Sequence, residues 1–387
     1  MPGDRIAEVH DLLTRMVRIP SVTVRDEGRA GTGEAELAEF VATWLREAGI
    51  EVATQEAAPE RLNVIGRIPG RDRSRALLLN SHLDTVEVDG MAIDPYGAEV
   101  RDGRLYGRGS CDAKGCLATF MLAARRLAAP NAPPPVDLLV VATCGEESGG
   151  TGVTAYTEAL PQDHGIHAAV IGEPTELRLV IAHKGGMRIL VETKGHAAHS
   201  SQPWEGDNAI YRMAKVIRFV EETLVPELDQ HTHPLVGSPT MAATMISGGI
   251  GGNIIPPRCR LQVGRRSIPG EDPRQIWEEL KRRFEALDPG HVEVVGDRSG
   301  ISAVDTPADS PIVLQMRRAL AAHELDGTPI GANYGTDGAK VAPLGIPVVV
   351  FGPGSISNAH QPDESVALAE VVTASEVVTD MVRGFDG

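Results

Sequence analysis

Apolar positions along the chain alternate between helical stripes and short continuous runs. Apolar residues recur at helical spacing over residues 6–17, 37–48 and 117–127, and Gly49 follows the second stripe where a C-terminal cap is expected. The continuous runs lie at residues 76–79, 138–142 and 168–171. Runs of this kind are typical of strands that are covered on both faces. The pattern therefore predicts an α/β fold with a mostly parallel central sheet and helices on both faces.

The pattern changes near residue 183, where alternating apolar and polar positions begin. Residues 183–297 predict the order β-α-β-β-α-β, which is that of a ferredoxin-like α+β unit. The predicted elements lie at residues 187–193, 210–224, 240–246, 259–265, 276–287 and 291–295. After them the α/β pattern resumes, with helices near 311–323 and 366–383 and a strand at 346–351. We therefore predict that residues 183–297 form a domain inserted into a main domain of residues 1–182 and 298–387.

Composition and charge narrow the choice of partners. The 387 residues include 37 basic and 53 acidic ones, so the net charge is −16, which opposes nucleic acid or an anionic membrane as a partner. No apolar run approaches the roughly 20 residues of a membrane span. The first residues lack a cationic segment followed by an apolar one, and the four cysteines are too few for a disulfide framework. We expect a cytoplasmic protein with reduced thiols.

Side chains that can bind a metal ion follow or end the predicted strands at five places. They are His82 with Asp84, Asp112, Glu146 with Glu147, Glu173, and His360. Taken alone, each group is compatible with a solvated loop, since adjacent glutamates are usually only surface charge. Together they place histidines and carboxylates at the carboxyl edge of one sheet, where sites form in α/β proteins. Such nitrogen and oxygen ligands suit zinc, and a bridging carboxylate would hold two metals about 3.5–4 Å apart.

At these motifs the chain resembles a known family over nearly its whole length. The family is the di-zinc amidohydrolases, which include acetylornithine deacetylase, succinyl-diaminopimelate desuccinylase, aminoacylase and glutamate carboxypeptidases. The matching motifs are Ser-His-Leu-Asp at 81–84, Gly-Arg-Gly-x-x-Asp-x-Lys-Gly at 107–115, Glu-Glu at 146–147, Gly-Glu-Pro-Thr at 172–175 and His-Gln-Pro-Asp-Glu at 360–364. The segments at 171–175, 182–185 and 352–355 most resemble the corresponding segments of acetylornithine deacetylases.

The resemblance implies two zinc ions per chain, with cobalt as an alternative metal. The implied ligands are His82 and Glu173 for one ion, Glu147 and His360 for the other, and Asp112 as the bridge. Asp84 would orient His82, a metal-bound water would be the nucleophile, and Glu146 would be the general base. Members of this family often have a cis peptide bond after the bridging aspartate, which here joins Asp112 to Ala113.

The inserted domain would act as a lid and dimerisation domain. By its spacing to residues 206–209, His199 rather than His196 matches the family histidine that reaches the partner subunit's site and supports the oxyanion, so a homodimer is implied. Asn253 and Arg266 match groups that contact the substrate carboxylate. This chain reads Gly-Arg-Arg at 264–266, so Arg265 remains an alternative. In the main domain Gly354 is a further candidate substrate contact.

This set of motifs predicts hydrolysis of the amide bond of an N-acyl amino acid, as by acetylornithine deacetylase. Desuccinylation of a diaminopimelate derivative, aminoacylase activity, and dipeptidase or carboxypeptidase activity on small peptides remain open, because Gly-Thr-Asp-Gly at 335–338 departs from the narrow acetylornithine pattern. A metal-binding relative without turnover is a more distant alternative. Cys111 and Cys144 lie in the same motifs, but small cysteines beside metal loops are usually packing residues.

Overall fold

The computed structural model describes residues 2–23, 33–129, 132–296 and 300–386. Its helices are α1 Pro2–Arg18, α2 Ala35–Glu47, α3 Lys114–Leu127, α4 Thr151–Glu158, α5 Ala209–Phe219, α6 Val225–Leu228, α7 Pro273–Glu285, α8 Pro311–Ala322, α9 Gly338–Val341 and α10 Leu368–Arg383. Short 3-10 turns lie at Glu146–Ser148, Pro203–Glu205 and Ala342–Leu344, and a π turn at Val220–Leu224. Within the described ranges, none of the helices is long and apolar enough to cross a membrane.

The strands alternate with these helices along the chain. They are β1 Glu51–Ala58, β2 Arg61–Ile68, β3 Asp72–His82, β4 Glu99–Arg101, β5 Arg104–Tyr106, β6 Val136–Thr143, β7 Ile166–Ile171, β8 Val180–His183, β9 Gly186–Lys194, β10 Thr240–Gly248, β11 Arg258–Arg266, β12 Val292–Val295, β13 Gly300–Ile301, β14 Val304–Asp305, β15 Ile330–Ala332, β16 Val348–Val350 and β17 Ser365–Ala367. The chain divides into two compact units.

The first unit consists of Met1–Ile181, Thr306–Ile330 and Thr336–Gly387 and contains the large sheet. The strand order is β1-β2-β6-β3-β7-β16-β8. The four central strands, from β6 to β16, run parallel to one another, and the pairs at the edges are antiparallel. The predicted mostly parallel α/β sheet is thus confirmed, with an antiparallel hairpin of β1 and β2 that the apolar pattern did not predict.

Both faces of the central strands are covered. Leu77, Leu78 and Leu79 of β3 are consecutive and at most 1% exposed. Because successive side chains of a strand point to opposite faces, this run needs cover on each side. Helix α3 packs against β3 and β6 and also against α1 and α10, while α2 and α4 pack against the β1–β2 hairpin. The layered core therefore follows from the continuous apolar runs.

A small sheet, ordered β17-β5-β4, lies in the same unit. Ser365 of β17 pairs with Tyr106 of β5, and Val366 pairs with Leu105. The chain that follows His360 is therefore fixed beside the glycine-rich loop at 107–112, although some 250 residues separate the two segments in sequence.

The second unit consists of Ala182–Asp305 and Gly331–Gly335. Its sheet is antiparallel in the order β10-β11-β9-β12, and β13 pairs with β9. Helices α5 and α7 pack against this sheet over a core that includes Val191, Met213, Val263 and Phe284. The ferredoxin-like order of elements is confirmed. The predicted insertion at 183–297 lies within the bounds of this unit, and its last residue, 297, falls outside the described residues.

Candidate metal centre and active site

Three predicted site segments leave the large sheet at one edge. His82 is the last residue of β3 and pairs with Thr143, the last residue of β6, while Asn80 of β3 pairs with Ile171 at the end of β7. The turn at Glu146–Ser148 follows β6, and Glu173 follows β7. The strands are parallel and in register, so their carboxyl ends bring His82, Glu146 and Glu173 to the same place.

Asp112 lies between two groups of histidine and glutamate side chains. Its Oδ1 is 3.0 Å from Nε2 of His82, and Nε2 of His82 is 3.9 Å from Oε1 of Glu173. Its Oδ2 is 3.3 Å from Nε2 of His360, which is 2.8 Å from Oε1 of Glu147. One carboxylate therefore faces both groups with different oxygens. The peptide bond between Asp112 and Ala113 is cis, as the resemblance implied.

These donors fit a pair of cations. Ligand atoms of His82, Asp112 and Glu147 all lie within 4.8 Å of one another. Imidazole nitrogens with carboxylate oxygens are the donor set of zinc and similar divalent ions, and a carboxylate that bridges two ions is the arrangement of two-metal hydrolases. Glu173 and His360 complete the two groups.

The sequence predicted that Asp84 orients His82, and the atom of Asp84 that lies closest to the His82 ring is its main-chain oxygen. Nδ1 of His82 is 2.9 Å from the main-chain oxygen of Asp84 and 3.5 Å from its carboxylate. A carbonyl oxygen can only accept, so Nδ1 of His82 donates its hydrogen there, which leaves Nε2 as the ring nitrogen that faces Asp112. Asp84 does hold the His82 ring, but chiefly through its backbone.

The carboxylate of Asp84 instead holds the turn that carries the glutamates. It accepts hydrogen bonds from the main-chain N–H groups of Glu146 and Glu147, each at 3.0 Å. Gly145 begins this turn at φ +73°, and a Cβ at this position would lie 2.6 Å from the Arg61 guanidinium. Arg61 forms an ion pair with the buried Glu34. The carboxylate of Asp84 thus holds the turn, and the positive φ at its start favours glycine.

Burial and hydrogen bonding shift the pKa values of the acids and histidines in this cluster. Hydrogen bonds to Asp112 and Glu147 raise the pKa of His360 to about 10. Burial raises the pKa of Glu173 well above its usual range, and burial together with the charge of Glu173 does the same for Glu146. Burial opposes the ionisation of Asp112, but its hydrogen bonds with His360 and His82 outweigh burial and lower its pKa. A site with this concentration of buried acids favours cations.

His360 occupies an uncommon backbone conformation. Its φ is +61°, a value sparsely populated by residues other than glycine, and its side chain is 49% exposed. Such conformations persist where the surrounding structure fixes them, often at functional sites.

Two buried acids beside the predicted ligands were not predicted as site residues. Asp337 is 4% exposed and accepts a hydrogen bond of 2.7 Å from Thr143, and burial raises its pKa to about 6. Glu364 is 1% exposed and binds the loop of Asp112. Both stand in motifs that the sequence analysis quoted, but nothing in a single sequence separates a buried acid from an exposed one.

The residues predicted to bind substrate from the insert all lie in the second unit. The main-chain N–H of Ser200 donates to the carbonyl of Asn253 at 2.9 Å, so the loop of His199 and the segment of Asn253 are neighbours. Nδ1 of His199, an exposed residue, is 2.7 Å from the Ser201 hydroxyl. Their placement against the metal ligands stays a prediction.

The two candidate arginines at the end of β11 differ in exposure. Arg265 is 3% exposed and forms an ion pair of 2.6 Å with Glu271. Arg266, the next residue on the strand, is exposed. Successive strand residues face opposite sides, so only Arg266 presents its guanidinium to solvent.

Gly354 and the site cysteines Cys111 and Cys144 are buried in this structure. Gly354 is buried, and its N–H already donates to Glu370 at 2.8 Å while its carbonyl accepts from Glu176 at 2.7 Å. These bonds occupy the N–H of Gly354 and one acceptor position of its carbonyl, and its contact with substrate stays a prediction. Burial raises the pKa of Cys144 to about 12 and that of Cys111 further, which opposes a thiolate nucleophile at either position.

Fold and site together define a metal-dependent hydrolase, with an α/β sheet that carries a histidine and carboxylate centre at its carboxyl edge. Residues 78–384 match the model of Peptidase family M20/M25/M40, and the chain belongs to this family. An acetylornithine deacetylase of Myxococcus xanthus is 31% identical over 400 residues, which cover 100% of this chain and 99% of that protein. The chain is thus a hydrolase that acts on amide bonds, of the metallopeptidase and deacylase class.

Two solved structures agree with this fold. An M20 family metallo-carboxypeptidase of Sulfolobus solfataricus superposes with a TM-score of 0.81 at 19% identity and covers 98% of this chain and 99% of its own. A Bacillus subtilis protein described as a dinuclear metal-binding peptidase of the M20 family gives a TM-score of 0.71 at 16% identity, with 98% of each chain covered. At these identities the likeness concerns the fold.

Proposed function

We propose that this protein hydrolyses the amide bond of an N-acyl amino acid with two zinc ions, as an acetylornithine deacetylase does. The observation that carries the proposal is the carboxylate of Asp112, whose two oxygens face His82 on one side and His360 on the other at 3.0 and 3.3 Å. A similar relative, matched along both whole chains, is named acetylornithine deacetylase.

Each side chain has a definite task in this proposal. Bound zinc would polarise the scissile carbonyl and activate water. His82 with Glu173 and His360 with Glu147 would hold the two ions, and Asp112 would bridge them. Glu146 would take the proton from water and return it to the leaving amine.

The second unit would complete the site from a partner subunit. We propose a homodimer in which His199 supports the oxyanion in the partner's site, while Asn253 and Arg266 bind the substrate carboxylate. Arg265 is engaged with Glu271, which supports Arg266 as the binder. Arginine can hold a carboxylate with two parallel hydrogen bonds. We further expect a cytoplasmic location.

An exposed strand supports the proposed dimer. Among the described residues β10 pairs on one side only, with β11, and it is the edge of its sheet. Met245, Ile246 and Ile250 on or beside this edge are 67%, 57% and 71% exposed. An edge strand with apolar side chains offers unpaired backbone groups to a second copy, and two-fold dimers are the commonest assembly.

The experiment that tests the function combines metal content with hydrolysis. The purified protein is analysed for zinc per chain and assayed with N-acetylornithine, with and without a chelator. About two ions per chain and chelator-sensitive release of acetate would support the proposal. Two ions without acetate release would redirect the search to N-succinyl-diaminopimelate and dipeptides, which are the alternative substrates that the sequence analysis left open. Absence of bound metal and of metal-dependent hydrolysis would contradict the proposal.

A further inference from the structure

Glu364 is the most completely bonded carboxylate near the predicted metal centre. Its side chain has no solvent exposure. Oε2 accepts from Nη1 of Arg108 at 2.6 Å and from the main-chain N–H of Gly109 at 3.1 Å. Oε1 accepts from the main-chain N–H groups of Cys111 and Asp112, each at 3.0 Å. Four donors from one loop therefore converge on a single side chain.

A buried carboxylate is costly unless its oxygens are bonded and its charge is paired. Here Arg108, a residue that is 3% exposed, supplies the opposite charge through its guanidinium, and three backbone amides supply the remaining bonds. Hydrogen bonds to a charged group are roughly twice as strong as neutral ones. The loop at 107–112 has little regular structure of its own, so these bonds fix the path of its backbone up to Asp112.

The same contacts connect Glu364 to Asp112 and His360, two of the predicted metal ligands. Asp112 binds Glu364 through its main-chain N–H and faces His360 through its carboxylate. Glu364 stands four residues after His360 in the same segment, and β17, which begins at Ser365, pairs with β5 just before the loop. One segment thus supplies a candidate ligand and also holds the backbone of the candidate bridge.

We propose that Glu364 is a positioning residue for the metal centre: it sets the backbone of Asp112 so that the two carboxylate oxygens face both cations. The inference rests on the proposed metal centre. Groups that orient ligands typically contribute a factor of about 10–100 to metal affinity. Glutamine at this position would lose the charge pair with Arg108 and would turn an N–H₂ group toward amide donors.

The test is the zinc affinity of the Glu364→Gln protein, measured by competition with a chromophoric chelator. We expect affinity to fall by about 10–100-fold relative to wild type. The matched control is Asp363→Asn, which removes the same charge from the adjacent, exposed residue and should leave zinc affinity unchanged. If Glu364→Gln does not fold, Glu364→Asp keeps the charge but withdraws the carboxylate by one methylene, and an intermediate loss of affinity is expected.

A double-mutant cycle with Asp112→Asn separates positioning from general destabilisation. If Glu364 acts through Asp112, Glu364→Gln will weaken zinc binding much less in the Asp112→Asn background than in wild type. Equal losses in both backgrounds, or wild-type affinity in Glu364→Gln, would overturn the role of Glu364 alone. A wild-type protein without zinc affinity would overturn the metal centre and this role together.

Discussion

Asp84 links the first candidate ligand to the turn of the candidate base. Its main-chain oxygen holds the ring of His82 at 2.9 Å, and its carboxylate holds the amides of Glu146 and Glu147 at 3.0 Å. Because this carboxylate is fully buried and bonded to the two amides, any change in it disturbs two parts of the site at once. The two glutamates are adjacent in sequence, yet only one of them faces His360.

Replacement of Glu146 by Gln tests whether Glu146 is the base while Glu147 is a metal ligand. Glutamine keeps the shape of the side chain but cannot accept a proton, so we expect turnover to fall by about 10²–10⁴-fold. Bound zinc should remain at the wild-type level, because Glu147 and not Glu146 faces His360. The measurements are steady-state hydrolysis and metal content on the same sample.

The matched control for Glu146→Gln is Glu158→Gln, an exposed glutamate at the end of α4. It should retain both activity and metal. Activity close to wild type in Glu146→Gln would show that another group is the base, and loss of zinc would show that Glu146 is a ligand.

The sequence predicted the candidate ligands better than the residues that hold them. Histidines and acids that follow apolar strand runs are visible in a single sequence, and the geometry brings His82, Asp112 and His360 together. Glu364 and Asp337 could not be predicted, since their burial depends on loops that meet only in the folded chain. The difference in exposure between Arg265 and Arg266 likewise could not be predicted, because it depends on the ion pair of Arg265 with Glu271 in the folded chain.

The parallel strands explain why distant motifs converge. β6, β3 and β7 are adjacent and in register, so three loops leave the sheet at one edge. Continuous apolar runs predict such strands well. Every residue of β1 is exposed or half-buried, and β4, β5 and β17 are only three residues long, so periodicity gave no signal for the β1–β2 hairpin or for the small sheet.

Two loops near the centre approach so closely that glycine is required. Gly354 has φ +79°, and a Cβ there would lie 2.5 Å from Sγ of Cys111. We expect Gly354→Ala to lower the free energy of unfolding by about 2–4 kcal/mol, since it combines a left-handed backbone with overpacking. Denaturant titration measures this loss.

Gly90 provides the matched control for Gly354. Its φ is also +79°, but a Cβ there meets nothing within 4 Å. Gly90→Ala should therefore lose only about 1–2 kcal/mol, the cost of the backbone conformation. Cys111→Ala in the Gly354→Ala background should recover part of the difference. Equal losses for the two glycine variants would mean that the loops have room to separate.

The division into two units raises the question of which chain completes a site. Every candidate metal ligand lies in the first unit, whereas His199, Asn253 and Arg266 lie in the second. The chain can supply the second group either to its own site or to that of a partner. A symmetric dimer permits the second arrangement, and the exposed edge β10 is the surface on which we base it.

Mixing two defective proteins distinguishes these arrangements. Glu146→Gln lacks the base, and His199→Ala should lose about 10²–10³-fold in rate as the loss of one oxyanion donor does. If His199 serves the partner's site, a heterodimer of the two variants contains one site with both residues intact. After complete subunit exchange, roughly a quarter of the wild-type activity should therefore return.

The matched control is a mixture of Glu146→Gln with Asp84→Ala, where both changes fall in the first unit and no site is restored. Light scattering verifies the dimer and a mass-tagged subunit verifies exchange, so an exchanged mixture without recovered activity would place His199 in the site of its own chain.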